Sequence, residues 1–146
     1  MNNDLKNIAN VKQAVPFFMV IDMTKSLDFY IKGLGFELKH KWEPEGRIEW
    51  CWLQFDDASI MMQEYRTNIP TEKRGEGVSV CFICEDALKI YKEMISHGLS
   101  TSSEPFVGNN MWVIELKDPD GYNILFESAT DVPEGTKYSE WAAKQH

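Results

Sequence analysis

Apolar residues along the chain follow two rhythms, an alternation of period two and a helical spacing of three and four, and they take turns in a fixed order. "AVPFFMVIDM" predicts a short apolar strand, and residues 24–34 then carry Leu27, Tyr30, Ile31 and Leu34 at helical spacing. Thr24 suits the start of that helix, Gly35 its stop, and Asp22 falls at the corner between strand and helix. Three further strands are predicted in "GFELKHKW", "RIEWCWLQF" and "ASIMMQEY", divided by the turn residues Pro44-Glu45-Gly46 and Asp56-Asp57.

After the polar stretch "RTNIPTEKRGEG" the order recurs. "VSVCFIC" predicts a strand, and residues 85–97 a helix with Ala87, Leu88, Tyr91, Met94 and Ile95 on one side and Gly98 as its stop. The strands "EPFVG", "MWVIELK" and "YNILFES" follow. The chain therefore reads as one α+β domain over residues 1–146: a βαβββ module at about 14–66, a linker at 67–76, a second module at about 77–128 and a tail at 129–146. Each helix has an apolar stripe that covers one face of its own sheet, which leaves the opposite faces free to form a shared concavity. In the tail, "KYSEWAAKQH" predicts a short helix whose Trp141 anchors it to the body or to a partner.

A length of 146 residues suits a single hydrophobic core without a disulfide or metal staple. With no apolar run of membrane-spanning length and no N-terminal signal pattern, the expected location is the cytoplasm. The net charge of −8 argues against nucleic acid as a partner, since that binding needs clustered cations, and favours cationic or neutral ligands; plain solubility accounts for the same acidity. Cys51, Cys81 and Cys84 each sit in an apolar run and read as free, buried thiols in a reducing compartment. A strand carrying Cys81 and Cys84 points them to opposite faces, and no second pair completes a zinc site.

"MTKSLDFYIKGLGFEL", with its D-x-x-x-S-L-x-F-Y-x-x-x-L-G-F pattern, and "DPDGYNILFES" before the final strand resemble the vicinal oxygen chelate superfamily of glyoxalases, bleomycin-resistance proteins and extradiol dioxygenases. The resemblance spans residues 15–128 and implies tandem βαβββ modules forming a cup-shaped mixed sheet, in a homodimer. It also implies where a metal would be held, at Val15, Met61, Ser79 and Leu125. Valine and leucine cannot coordinate, a thioether is a poor ligand for a hard cation, and one serine does not hold a divalent ion, so no metal and no cofactor are expected. Glu115 and Glu127, with His40 and Gln63, are the polar candidates for a rearranged site. His97 sits at a helix end, where it complements the dipole, and His146 is terminal.

In "RIEWCWLQF" the set Cys51, Leu53 and Phe55 suits the layer beneath the helix, which turns Trp50, Trp52 and Gln54 toward the cup. The same register sends Phe17, Met19, His40, Trp42, Met61, Gln63, Ser79, Cys81, Val113 and Leu125 inward, with Glu115 and Glu127 as charges; Trp112 belongs to the helix layer. Two readings of this aromatic face stand: filling for a core, or apolar walls with a few placed polar groups around a ligand. Trp42, Trp50 and Trp52 are more indole than one core layer needs, which favours the ligand.

The expected function is metal-independent binding of a planar or cationic amphipathic compound, similar to the bleomycin-resistance branch and to its antibiotic-resistance role. One alternative is a lyase or isomerase using Glu115 or Glu127 for acid–base work. Another is a ligand-sensing module of a regulator.

Overall fold

The computed structural model describes residues 9–65 and 73–145. The predicted linker at 67–76 lies largely outside these residues, as do the first eight residues and His146. Two four-stranded mixed sheets carry the chain. The first comprises β1 (Phe17–Val20), β2 (Glu37–Trp42), β3 (Trp50–Phe55) and β4 (Ala58–Glu64), in the order β1-β4-β3-β2. The second comprises β5 (Ser79–Ile83), β6 (Phe106–Gly108), β7 (Met111–Lys117) and β8 (Asn123–Ala129), in the order β5-β8-β7-β6. In each the first strand runs parallel to the last and the other pairings are antiparallel, so the second module repeats the first.

The first helix, α1 (Met23–Leu27), passes directly into a π-helical turn at Asp28–Gly33. Its cap is Asp22 rather than Thr24: the Asp22 carboxylate accepts the Lys25 amide at 3.2 Å, the reach of an N-cap to N3. The wide turn inserts a residue, marked by the Leu34 amide donating to the Phe29 carbonyl, and it buries Phe29 and Tyr30 side by side. Helix α2 (Ala87–Ser96) starts at Asp86, which caps Lys89 in the same way, and is shorter at both ends than its apolar spacing predicts. Gly35 and Gly98 both take positive φ and end the helical segments as expected. Among the described residues no helix is long and apolar enough to cross a membrane.

The core lies beneath the helices. Cys51, Leu53, Ile60 and Met62 of the first sheet and Ile114, Leu116, Ile124 and Phe126 of the second are buried. Trp112 is buried in the helix-side layer and meets Trp141 of α3 (Tyr138–Ala143) edge to face at 5.5 Å, so the tail helix docks on the body.

The two modules meet through this same covered side. Phe18 stacks on Tyr122 at 4.5 Å, Phe36 meets Phe82 at 5.7 Å and Phe55 meets Phe126 at 6.4 Å, each pair joining one module to the other. The sequence presents Asp118-Pro119-Asp120-Gly121 as a turn; in the structure it is also the polar tie between modules. Asp118 accepts the Tyr30 hydroxyl at 2.8 Å, and Asp120 accepts the Ile21 amide at 3.0 Å together with the buried Arg74 guanidinium. Arg74 in turn lies over the Tyr65 ring at 4.8 Å. Gly33 packs so closely on Leu99 that an added Cβ would come within 2.7 Å of its side chain, and the neighbouring His97 Nδ1 donates to the Gly33 carbonyl at 3.0 Å.

Candidate functional site

Strand register decides which side chains share a face. In the first sheet Phe17 stands opposite Met61, Met19 opposite Gln63, Trp50 opposite Gln63, Trp52 opposite Met61, His40 opposite Trp52 and Trp42 opposite Trp50. Directly opposed residues lie on the same face, so Phe17, Met19, His40, Trp42, Trp50, Trp52, Gln54, Met61 and Gln63 form one surface, as the alternation predicts. His40 and Trp52 touch edge to face at 6.3 Å. The apolar character of this surface is not hidden in a core: Trp42 is 48% exposed and Phe17 45%.

The second sheet repeats the logic. Ser79 opposes Asn123, Cys81 opposes Leu125, Ile83 and Val113 oppose Glu127, and Glu115 opposes Leu125. Ser79, Cys81, Val113, Glu115, Leu125 and Glu127 therefore share one face, with the two glutamates on diagonally adjacent positions of β7 and β8. Val113 is buried on it, whereas Ser79 and Cys81 are exposed. Three residues absent from the sequence-based set belong to this face too, Phe106, Ile83 and Asn123. Counting two residues on from Cys81 and two back from Leu125 reaches the latter two, so alternation alone could have found them.

The exposure of Cys81 corrects the reading of all three cysteines as buried. Cys51 is buried and Cys84 partly so, but Cys81 stands exposed, on the face of β5 that no helix among the described residues covers. Its Sγ donates to the Glu127 Oε2 at 3.0 Å, while the Cys84 Sγ donates to the Glu127 carbonyl at 3.4 Å. Partial loss of solvation, followed by the Glu127 hydrogen bond and charge, pushes the Cys81 thiol up to about 12. It is therefore a proton donor at neutral pH and a poor nucleophile.

Elsewhere the titrations belong to the seam between modules. Burial raises Asp118 above the ordinary carboxylate range despite the hydrogen bonds it accepts from the Tyr30 hydroxyl and the Tyr122 and Asp120 amides. Tyr30 is raised well above the usual phenol range by its own burial and then by the Asp118 charge.

The family model described as the Glyoxalase/Bleomycin resistance protein/Dioxygenase superfamily matches residues 11–126. The chain belongs to that superfamily. No curated protein matches it. Among solved structures, TioX from Micromonospora sp. ML1 is 14% identical, with 84% of this chain and 99% of that one covered at a TM-score of 0.65. A putative glyoxalase family protein from Bacillus anthracis is 17% identical over 84% of this chain and 100% of that one, with a TM-score of 0.61. A glyoxalase-related enzyme from Clostridium phytofermentans is 14% identical over 84% and 98%, with a TM-score of 0.64. At these identities the likeness is one of fold.

The metal of the superfamily's metal-dependent members does not fit the residues present. Val15 lies outside β1, Met61 faces Phe17, Leu125 faces Cys81, and the Ser79 hydroxyl already accepts the Asn123 side-chain amide at 2.7 Å. Within one chain the polar candidates do not assemble: His40 and Gln63 are on the first sheet, Glu115 and Glu127 on the second, and no three His, Cys, Asp or Glu side chains among the described residues of the chain converge as a metal would need.

Proposed function

We propose that the protein is a metal-independent binding protein of the superfamily that holds a planar, cationic amphipathic molecule. The observation that carries the reading is the partly open aromatic face of Trp42, Trp50, Trp52 and Phe17, in a chain whose corresponding ligand positions hold Val15, Met61, Ser79 and Leu125. Indoles on such a face stack on flat rings and attract cations, and Met61 and Met19 adapt to irregular ligand shapes. Glu115 and Glu127 on the second sheet supply the countercharge, and the net charge of −8 adds long-range attraction for a cation.

A homodimer completes the site in this reading. The modules of one chain join by their helix-covered sides, which leaves each open face to be closed from outside, and Ile83 at 66% exposure stands beside Glu127 on such a face. The aromatic face of one protomer set against the glutamate face of its partner brings both halves of the ligand's recognition into one cup. Sequestration in the cytoplasm, without bond making or breaking, is the activity that follows, and resistance to a toxic cationic compound its role.

Metal content tests the reading. Purified untagged protein incubated with nickel, zinc, manganese and iron, then dialysed, is expected to retain far less than one ion per chain by mass spectrometry. About one tightly held ion per chain overturns the proposal and returns Glu115 and Glu127 to consideration as ligands or acid–base groups.

A further inference from the structure

Behind the aromatic face, on the opposite side of β4, lies an open cavity of about 570 Å³. Its walls come from the corner between β1 and α1, the β2–β3 connection and the last residue of β4. Met61 and Gln63 of β4 point to the aromatic face, whereas Glu64 follows Ile60 and Met62 to the other, so the sheet separates the two sites. The volume is that of a small-molecule pocket.

We infer that this cavity is a binding site for a small amphipathic organic cation, a primary ammonium or guanidinium group on a short apolar body. Glu64 is the reason. It is only 8% exposed and projects its carboxylate into a pocket walled by Ile21, Met23, Leu27 and Ile48. One oxygen, Oε2, accepts the Met23 amide at 2.8 Å, which fixes the group in place; the other, Oε1, is held by the Arg47 guanidinium.

That guanidinium is a rim group, with a side chain 68% exposed, so water receives it readily when another cation takes its position. Asp22 adds a second carboxylate to the lining, one of whose oxygens caps Lys25. Among the described residues of the lining, two carboxylates stand against one guanidinium, a net negative charge that turns away phosphates and carboxylates and favours a cation. Two carboxylates without a third ligand do not make a site for a bare metal ion. The cation's head replaces Arg47 on Glu64, and its apolar body lies against Leu27 and Ile48. The sequence hid this arrangement because Pro44-Glu45-Gly46 reads only as a turn, Arg47 as the start of a strand and Glu64 as the polar end of another.

Methyl-resolved NMR of the intact protein titrated with n-hexylammonium, hexanoate and n-hexanol reads the site directly. Hexylammonium is expected to shift the Leu27, Met23 and Ile48 methyls saturably, while hexanoate leaves them in place and hexanol binds at least tenfold more weakly. Glu64→Gln keeps an oxygen for the Met23 amide, so the fold persists, and should weaken hexylammonium about tenfold. Arg47→Ala removes the competing cation and should tighten it, and Ile48→Trp, which fills the pocket, should abolish it. Saturable shifts with hexanoate of equal strength, undiminished binding by the Glu64→Gln protein, or no saturable shift with any probe overturns the inference. These methyl signals lie on the far side of β4 from the indoles, so failure here and failure of the aromatic cup are read separately.

Discussion

The Tyr30 hydroxyl donates to the Asp118 carboxylate across 2.8 Å, from the helical segment of the first module to the closing turn of the second. Both groups are buried, and Tyr30 also packs edge to face on Phe29 and Phe36. Tyr30→Phe keeps those ring contacts and deletes only the bond to a charged acceptor. The expected cost is about 1.5–3 kcal/mol of unfolding free energy, measured by urea denaturation.

Asp118 also gives stability a pH dependence. Its folded-state pKa is raised by burial, so the folded chain binds its proton more readily than the unfolded one. The stability this contributes is fully present below the ordinary carboxylate pKa and is lost as pH rises through the raised value. Asp118→Asn keeps an acceptor for the Asp120 and Tyr122 amides and can donate to the Tyr30 oxygen. Denaturation midpoints of this variant should change less than those of the parent protein across that window.

Cys81 and Glu127 predict a reactivity change. With its thiol near 12 beside a carboxylate, Cys81 should alkylate slowly at pH 8 although it is exposed. Glu127→Gln removes the nearby negative charge and should speed modification of Cys81 several-fold, followed by peptide mass spectrometry. An unchanged rate would show that Glu127 does not hold this proton.

If the cup recognises its ligand partly by charge, affinity for a planar aromatic cation should fall as salt rises, because mobile ions screen exposed charges beyond about 10 Å at 0.1 M. Charge reversal at Glu115 or Glu127 should weaken binding and flatten that salt dependence. Calorimetric titration across a salt series checks both.

The repeated βαβββ order was legible because two different periodicities alternate along the chain, and the strand registers put alternate residues of neighbouring strands on common faces. What alternation cannot convey is which faces meet. That the modules join through Phe18 and Tyr122, Phe36 and Phe82, or Tyr30 and Asp118 depends on contacts between residues up to about a hundred positions apart, which no local pattern encodes. For the same reason Cys81 looked like a core residue: its run is apolar, but its face is open. Thr24 lost the cap to Asp22 because both residue types accept an amide, and spacing alone does not choose between starts two residues apart. The Glu64 cavity needed three segments to be brought together before it existed.

The most direct test of the aromatic cup is a tryptophan-fluorescence titration of metal-stripped protein with ethidium, a planar cation, against its uncharged relative phenanthridine. The account predicts saturable quenching by ethidium without added metal, weaker binding of phenanthridine, and loss of the ethidium response in Trp52→Ala. Quenching that appears only after nickel or zinc is restored, or ethidium binding unchanged in Trp52→Ala, would contradict it.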